Sequence, residues 1–169
     1  MEHLPKLNLA LAAATALVPL VLGFIWYHPK VFGNAWMKAT GITPEDGKKM
    51  NMPLVFGLTY VFSFFIAVSL HFMTIHQFAF TSLLEPARGF VDPPNFKETI
   101  LAAAAISETK FRTWSHGLAH GIITGVTLFL PMVAINAMFE RKGWKYILIN
   151  WGFYTVSFTI MMMIIDQFA

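Results

Sequence analysis

Four long stretches of this chain contain no Asp, Glu, Lys or Arg. They cover residues 7–27, 51–84, 113–139 and 146–165. A bilayer core of about 30 Å is crossed by a helix of about 20 residues, so each stretch is long enough. Lipid cannot hydrogen-bond to a free backbone, which makes helices the required form. We therefore predict an all-α membrane protein, an up-down bundle of four transmembrane helices. The predicted spans lie near residues 7–27, 53–76, 114–139 and 144–167.

The composition favours a single membrane domain over residues 1–169. Of these residues 56% are hydrophobic and 12% are charged, whereas a soluble domain carries about a quarter charged residues. The net charge of +3 would suit nucleic acid, but the basic residues flank the apolar stretches, as they do in membrane proteins. We predict contact with membrane lipids and no nucleic-acid partner. The absence of Cys excludes thiolate metal ligands.

Several features modify the simple pattern of four spans. Residues 99–106 form an uncharged run that is too short to cross. They predict either an interfacial helix or a helical extension leading into the third span. Residues 85–89 and 92–95, which contain Pro and Gly, predict loops. Pro19 and Pro131 lie inside spans, and we expect each to bend its helix.

The Lys and Arg residues predict the orientation. With four crossings both termini lie on one side of the membrane. The first and third loops carry seven basic residues, Lys30, Lys38, Lys48, Lys49, Arg141, Lys142 and Lys145. The other side carries five over a longer stretch, Lys6, Arg88, Lys97, Lys110 and Arg112. The positive-inside rule therefore predicts that both termini are non-cytoplasmic.

Two stretches of the chain carry a family resemblance. One contains Trp26, Tyr27, Pro29, Phe32, Gly33 and Trp36, and the other contains Phe139, Glu140, Trp144 and Asn150. They resemble the domain of unknown function 1761 family of small bacterial membrane proteins, over nearly the whole chain. The resemblance implies a four-helix membrane fold and a bacterial inner membrane, and it implies no reaction. The first stretch also suits an interfacial anchor, in which aromatic rings lie at headgroup level.

Gly117, Gly121 and Gly125 form a ridge of small residues on one face of the third span. Such a ridge lets two helices approach closely in lipid. It suits packing inside the bundle or between copies of the chain. We favour the internal use, because the four helices of one chain associate before subunits do.

The histidines predict a site near the membrane surface. His116 and His120 are four residues apart, so they share one face of the third span. At 1.5 Å per residue, His71, His76 and Asp166 fall at nearly the same depth. Imidazoles with a carboxylate suit Zn, Cu or Fe, and two histidines on facing helices suit a haem. The alternative is that these residues bond to headgroups, to water or to each other.

The sequence lacks the motifs Gly-x-Ser-x-Gly, His-Glu-x-x-His, Gly-x-x-x-x-Gly-Lys-Ser/Thr and Gly-x-Gly-x-x-Gly, and no charged residue lies in mid-membrane. We therefore predict a non-catalytic protein that acts by binding, as a subunit of a membrane assembly or as a homo-oligomer. The second hypothesis is a metal or haem protein that uses His71, His116 and His120, together with His76 or Asp166 as further candidates. A small transporter, or an enzyme acting on lipid with His116 or His120 as base, ranks below both. The sequence does not specify a cofactor.

Overall fold

The structure of the chain, a computed structural model, describes residues 3–85 and 92–169. All regular elements in these two ranges are helices. They are α1 (Leu9–Thr15), α2 (Val18–Trp26), α3 (Asn34–Thr40), α4 (Pro44–Lys48), α5 (Met52–Thr74), α6 (Phe78–Leu84), α7 (Phe96–Ser107), α8 (Trp114–Thr124), α9 (Leu130–Phe139) and α10 (Trp144–Phe168). Two π-helical turns lie between helices, at Pro29–Gly33 and Gly125–Phe129.

Within the described residues, four helical segments are long and apolar enough to cross a membrane. They are Leu9–Trp26, Met52–Thr74, Trp114–Phe139 and Trp144–Phe168. The all-α membrane bundle is thereby confirmed. The second span, predicted near residues 53–76, corresponds to α5, which ends at Thr74, and Ile75 adopts extended backbone angles. His76 therefore lies in the turn beyond the span.

Both prolines inside spans coincide with breaks in α-helical geometry. α1 and α2 are separated at residues 16–17, just before Pro19, and the Thr15 hydroxyl donates to the Leu11 carbonyl oxygen at 2.9 Å. The π-helical turn in the third span ends just before Pro131. Because proline lacks an N–H, Pro131 cannot bond to the carbonyl oxygen one turn earlier. Near this break, the Trp151 indole Nε1 donates to the Gly125 carbonyl oxygen at 2.7 Å.

The last helix, α10, lies at the centre of the bundle and packs against all three other spans. It meets α8 most extensively, and α1 packs beside α5. The buried core comprises Ala12, Ala67, Leu70, Ile75, Phe158, Met161, Met162 and Ile165. Large apolar side chains such as Phe62 and Phe65 are about 60% exposed. This exposure is expected where acyl chains, and not water, surround the helices.

The bundle has two ends that differ in chemistry. We call one the α3 end, where the first and third spans finish. We call the other the histidine end. It holds the start of α1, the end of α10, and the segment that includes α6 and α7.

At the histidine end, α6 and α7 pack together. The Gln77 side-chain amide donates to the carbonyl oxygens of Ser107 and Lys110, both at 2.7 Å. α7 ends seven residues before α8 begins. It is therefore a separate helix and not an extension of the third span. Part of the loop predicted at residues 85–89, including Arg88, lies outside the described residues.

Candidate metal centre at the histidine end

The end of α5 and the beginning of α8 bring three histidines together. Thr113 caps α8, because its hydroxyl oxygen accepts from the His116 N–H at 3.3 Å. His120 lies one turn further along α8, on the same helix face as His116. His76 lies in the turn after α5. We call His76, His116 and His120 the histidine triad.

The ring nitrogens of the triad converge. The Nε2 atom of His76 lies 3.1 Å from Nε2 of His116 and 3.3 Å from Nε2 of His120. One ligand atom from each of the three residues lies within 4.8 Å of the other two. A tetrahedral metal with bonds of about 2.0–2.1 Å to nitrogen holds its nitrogen ligands about 3.3 Å apart. The spacing therefore fits a single metal ion bound by imidazoles.

Asp166 lies behind the triad. Its Oδ2 accepts a hydrogen bond from Nδ1 of His116 at 2.8 Å, and the residue is only 1% exposed. This bond fixes the proton of His116 on Nδ1 and leaves the lone pair of Nε2 directed at His76. Carboxylates commonly orient metal-binding histidines in this way. The sequence predicted Asp166 as a candidate metal ligand. In the structure its carboxylate bonds to Nδ1 of His116.

His71 lies apart from the triad. Its Nδ1 donates to the Ala67 carbonyl oxygen one turn earlier, at 2.7 Å, and the side chain is fully buried. The triad does not place two of its imidazoles on opposite faces of a porphyrin. The imidazoles of the triad are in direct contact, so a porphyrin ring cannot lie between any two of them.

Phe111 covers one side of the triad. Its ring stacks on His116, with centroids 5.2 Å apart and an interplanar angle of 22°, and its centroid is 5.9 Å from that of His76. The backbone of Phe111 has φ of +66°, which is strained for a bulky residue. Nothing in the sequence pattern pointed to Phe111, because no periodicity governs the short loop that carries it.

Arg112 follows Phe111 and lies partly buried beside the same region. Its Nε and Nη1 atoms are enclosed and have no hydrogen-bond partner among the described residues. The same holds for Nε2 of His71 and Oδ1 of Asp166. Burial lowers the pKa of Arg112 from its ordinary value, and the Asp166 charge opposes this shift. The histidine end thus contains a polar region enclosed by protein.

The glycine ridge packs inside the bundle and sets the position of His116. A Cβ on Gly117 would lie 2.5 Å from the Met162 carbonyl oxygen. Cβ atoms on Gly121 and Gly125 would overlap Thr159 and Thr155, also on α10. Only glycine permits this approach of α8 to α10. The close approach brings His116 within reach of Asp166. Since α10 occupies the ridge, it is not available for contact between copies of the chain.

The family model described as Protein of unknown function (DUF1761) matches residues 9–165. The chain belongs to this family. The match covers nearly all of the four spans, so the resemblance seen in the sequence is confirmed. Comparison with curated proteins and with solved structures gives no match.

In this DUF1761 chain, the two stretches that carry the resemblance meet at the α3 end. The Tyr27 hydroxyl and the Trp36 indole both donate to Oδ1 of Asn150, at 3.2 and 3.3 Å. The Trp26 indole donates to the Ile149 carbonyl oxygen at 3.1 Å. The Asn150 amide in turn donates to the Tyr146 carbonyl oxygen at 2.8 Å.

The remaining residues of the two stretches support this junction or lie on the surface. The Phe32 ring contacts Trp26 at 4.7 Å between centroids, and Pro29 begins the π-helical turn. A Cβ on Gly33 would overlap the Tyr27 carbonyl oxygen. Phe139, Glu140 and Trp144 are exposed. The two stretches that carry the family resemblance therefore connect the first and fourth spans. The bonded residues are more than 100 positions apart in the sequence.

Proposed function

We propose that this protein binds a divalent transition metal ion through the Nε2 atoms of His76, His116 and His120. The observation that supports the proposal most is the convergence of three ring nitrogens, one of them backed by the buried Asp166. Three neutral imidazoles suit Zn, Cu, Ni or Fe(II), whereas Mg and Ca prefer oxygen ligands. Three protein ligands also leave a fourth position for water or another molecule.

The number of protons that the Nε2 atoms of the triad can carry supports a shared metal cation. Because Nδ1 of His116 donates to Asp166, Nε2 of His116 is an acceptor in the neutral ring. Nε2 of His76 carries at most one proton, so it can donate to either His116 or His120 but not fully to both. At most one of the two contacts, at 3.1 and 3.3 Å, is therefore a full hydrogen bond. A metal ion among the three nitrogens would accept a lone pair from each of them.

A metal-binding role is compatible with action as a subunit of a membrane assembly, and that hypothesis remains a prediction. Contact between copies of the chain would need a surface other than the glycine ridge. The apolar surfaces of the spans would bind membrane lipids.

We also propose that the protein resides in a bacterial inner membrane with both chain ends and the histidine triad on the non-cytoplasmic side. The seven basic residues of the first and third loops support this orientation. The chain has no Cys, so a single introduced thiol reports its own side. Lys6→Cys should react with an impermeant maleimide in intact cells, and Lys48→Cys should react only after lysis. The reverse pattern would overturn the orientation.

The metal proposal is tested on protein purified from membranes with a tag that contains no histidine. Elemental analysis should find one metal ion per chain. The variants His76→Gln, His116→Gln and His120→Gln should each lose most of it, since each removes one of three ligands. His3→Gln and His28→Asn are matched controls, because these histidines lie outside the triad, and they should retain the metal. Equal metal content in all five variants, or none in the parent protein, would overturn the proposal.

A further inference from the structure

A cavity of about 510 Å³ lies at the histidine end. Residues 3–9, before and at the start of α1, form one wall. Gln77, Glu108, Arg112 and Ala169 form the rest. None of the triad residues lines it. The cavity opens beside the first residues of a span, which is the depth of the lipid headgroups in a membrane.

Arg112 gives this cavity a positive charge that no ion pair holds directly, although the Asp166 carboxylate acts on it from a longer distance. Among the described residues, no carboxylate lies within 4.0 Å of its guanidinium. Two of its three nitrogens, Nε and Nη1, are enclosed without hydrogen-bond partners, and the residue lines the cavity. Leaving a cation unpaired in a partly dry site is costly. An anion in the cavity would lower that cost.

Lys6 and Glu108 are the other lining residues with charged side chains. Lys6 supplies a second cation. Glu108 accepts a hydrogen bond from Nδ1 of His3 at 2.9 Å. That carboxylate already has a partner, so it competes less with an incoming anion for Arg112. Gln77 is itself occupied with the Ser107 and Lys110 carbonyl oxygens, and it fixes the loop that carries Arg112.

We propose that this cavity binds a phosphate group, held by the Arg112 guanidinium and the Lys6 ammonium. A phosphate offers several acceptor oxygens, which match the donors of a guanidinium. The phosphate belongs either to a lipid headgroup or to free phosphate. The site is separate from the histidine triad, and the proposal does not depend on bound metal.

The test uses two short-chain probes with the same acyl tails, dihexanoyl phosphatidic acid and dihexanoylglycerol, and inorganic phosphate as a third. Binding to the purified full chain is measured by calorimetry in a chelator, so that metal plays no part. Phosphatidic acid should bind and dihexanoylglycerol should not. Arg112→Gln should weaken binding at least about tenfold, the typical effect of a hydrogen bond to a charged group. Lys6→Gln should weaken it about threefold, as expected for an exposed charge.

The control variant is Lys97→Gln, which removes an exposed cation from α7 that does not line the cavity. It should bind like the parent protein. Inorganic phosphate that binds in an Arg112-dependent way would identify free phosphate as a ligand. Binding by phosphatidic acid alone would identify a headgroup.

Equal binding of dihexanoylglycerol, unchanged binding by Arg112→Gln, or no binding of either phosphate would overturn the proposal. If Arg112→Gln does not fold, Arg112→Lys and Lys6→Gln replace it. Unchanged binding in both of these variants would then count against the site.

Discussion

Asp166 on α10 accepts a hydrogen bond from Nδ1 of His116 on α8, at 2.8 Å and away from solvent. This contact joins the third and fourth spans and fixes which nitrogen of His116 is available to a ligand. The glycine ridge makes it possible, because it removes side chains between the two helices. The proposed metal site therefore depends on the packing of α8 on α10.

Asp166→Asn should lower metal affinity by about 10–100-fold, the usual effect of losing a carboxylate behind a metal-binding histidine. The amide cannot supply the negative charge that increases the basicity of the ring. Competition against a metal-binding dye measures the change. Glu108→Gln is the control, since Glu108 pairs with His3 and not with the triad. Equal losses in the two variants would show that Asp166 has no special link to the site.

Gly121→Ala should destabilise the bundle by about 1–3 kcal/mol, because the added methyl group overlaps Thr159 at a tight helix contact. Gly57→Ala is a matched change on α5, where an added Cβ meets nothing within 4 Å. It should be neutral or stabilise the helix by up to about 1 kcal/mol. Thermal unfolding in micelles compares the two. A larger loss at Gly57 would contradict the packing described above.

Asn150→Ala should destabilise the α3 end by about 1–2 kcal/mol. It removes the acceptor of both the Tyr27 hydroxyl and the Trp36 indole, and interhelical hydrogen bonds in membranes average about 0.6 kcal/mol each. Denaturant unfolding followed by tryptophan fluorescence measures this loss of unfolding free energy. Asn136→Ala is the control, because Asn136 is exposed and its side chain makes no hydrogen bond in the described structure. Similar effects from both substitutions would count against the junction.

Tyr27 should make the fold sensitive to alkaline pH. Burial raises the pKa of its hydroxyl above the ordinary value of 10.0. A raised folded pKa adds stability that is complete below pH 10.0 and is lost as the pH rises toward the folded pKa. Unfolding free energy should therefore fall more between pH 9 and pH 11 in the parent protein than in Tyr27→Phe. Identical pH dependence in both proteins would show that Tyr27 is not buried.

The sequence was sufficient for the spans because uncharged length alone determines a crossing. It located the second span within two residues at its end, yet placed His76 inside the helix. The break at Ile75 has no proline or glycine to signal it. Spacing also established that His116 and His120 share a face, since a helical turn fixes that relation.

The sequence could not predict the direction in which a side chain points at a given depth. Rise per residue gives the depth of a side chain but not the neighbour it faces. His71 and His76 were predicted to lie at similar depth, yet His71 bonds to its own helix and His76 reaches the triad. Asp166 was predicted in the same layer, and only the packing of α8 on α10 brings it to His116. Phe111 and Arg112 lie in a loop where no periodic pattern exists.

A titration of the metal-free protein with Co²⁺, followed by visible absorption, tests the central claim most directly. We expect bands of a four-coordinate ion with nitrogen ligands, saturating at one equivalent and absent in His120→Gln. Zn²⁺ should displace Co²⁺ and abolish the colour, because it prefers the same tetrahedral geometry. A spectrum of hydrated Co²⁺ at every ratio, or bands that persist when His120 is replaced, would contradict the metal centre.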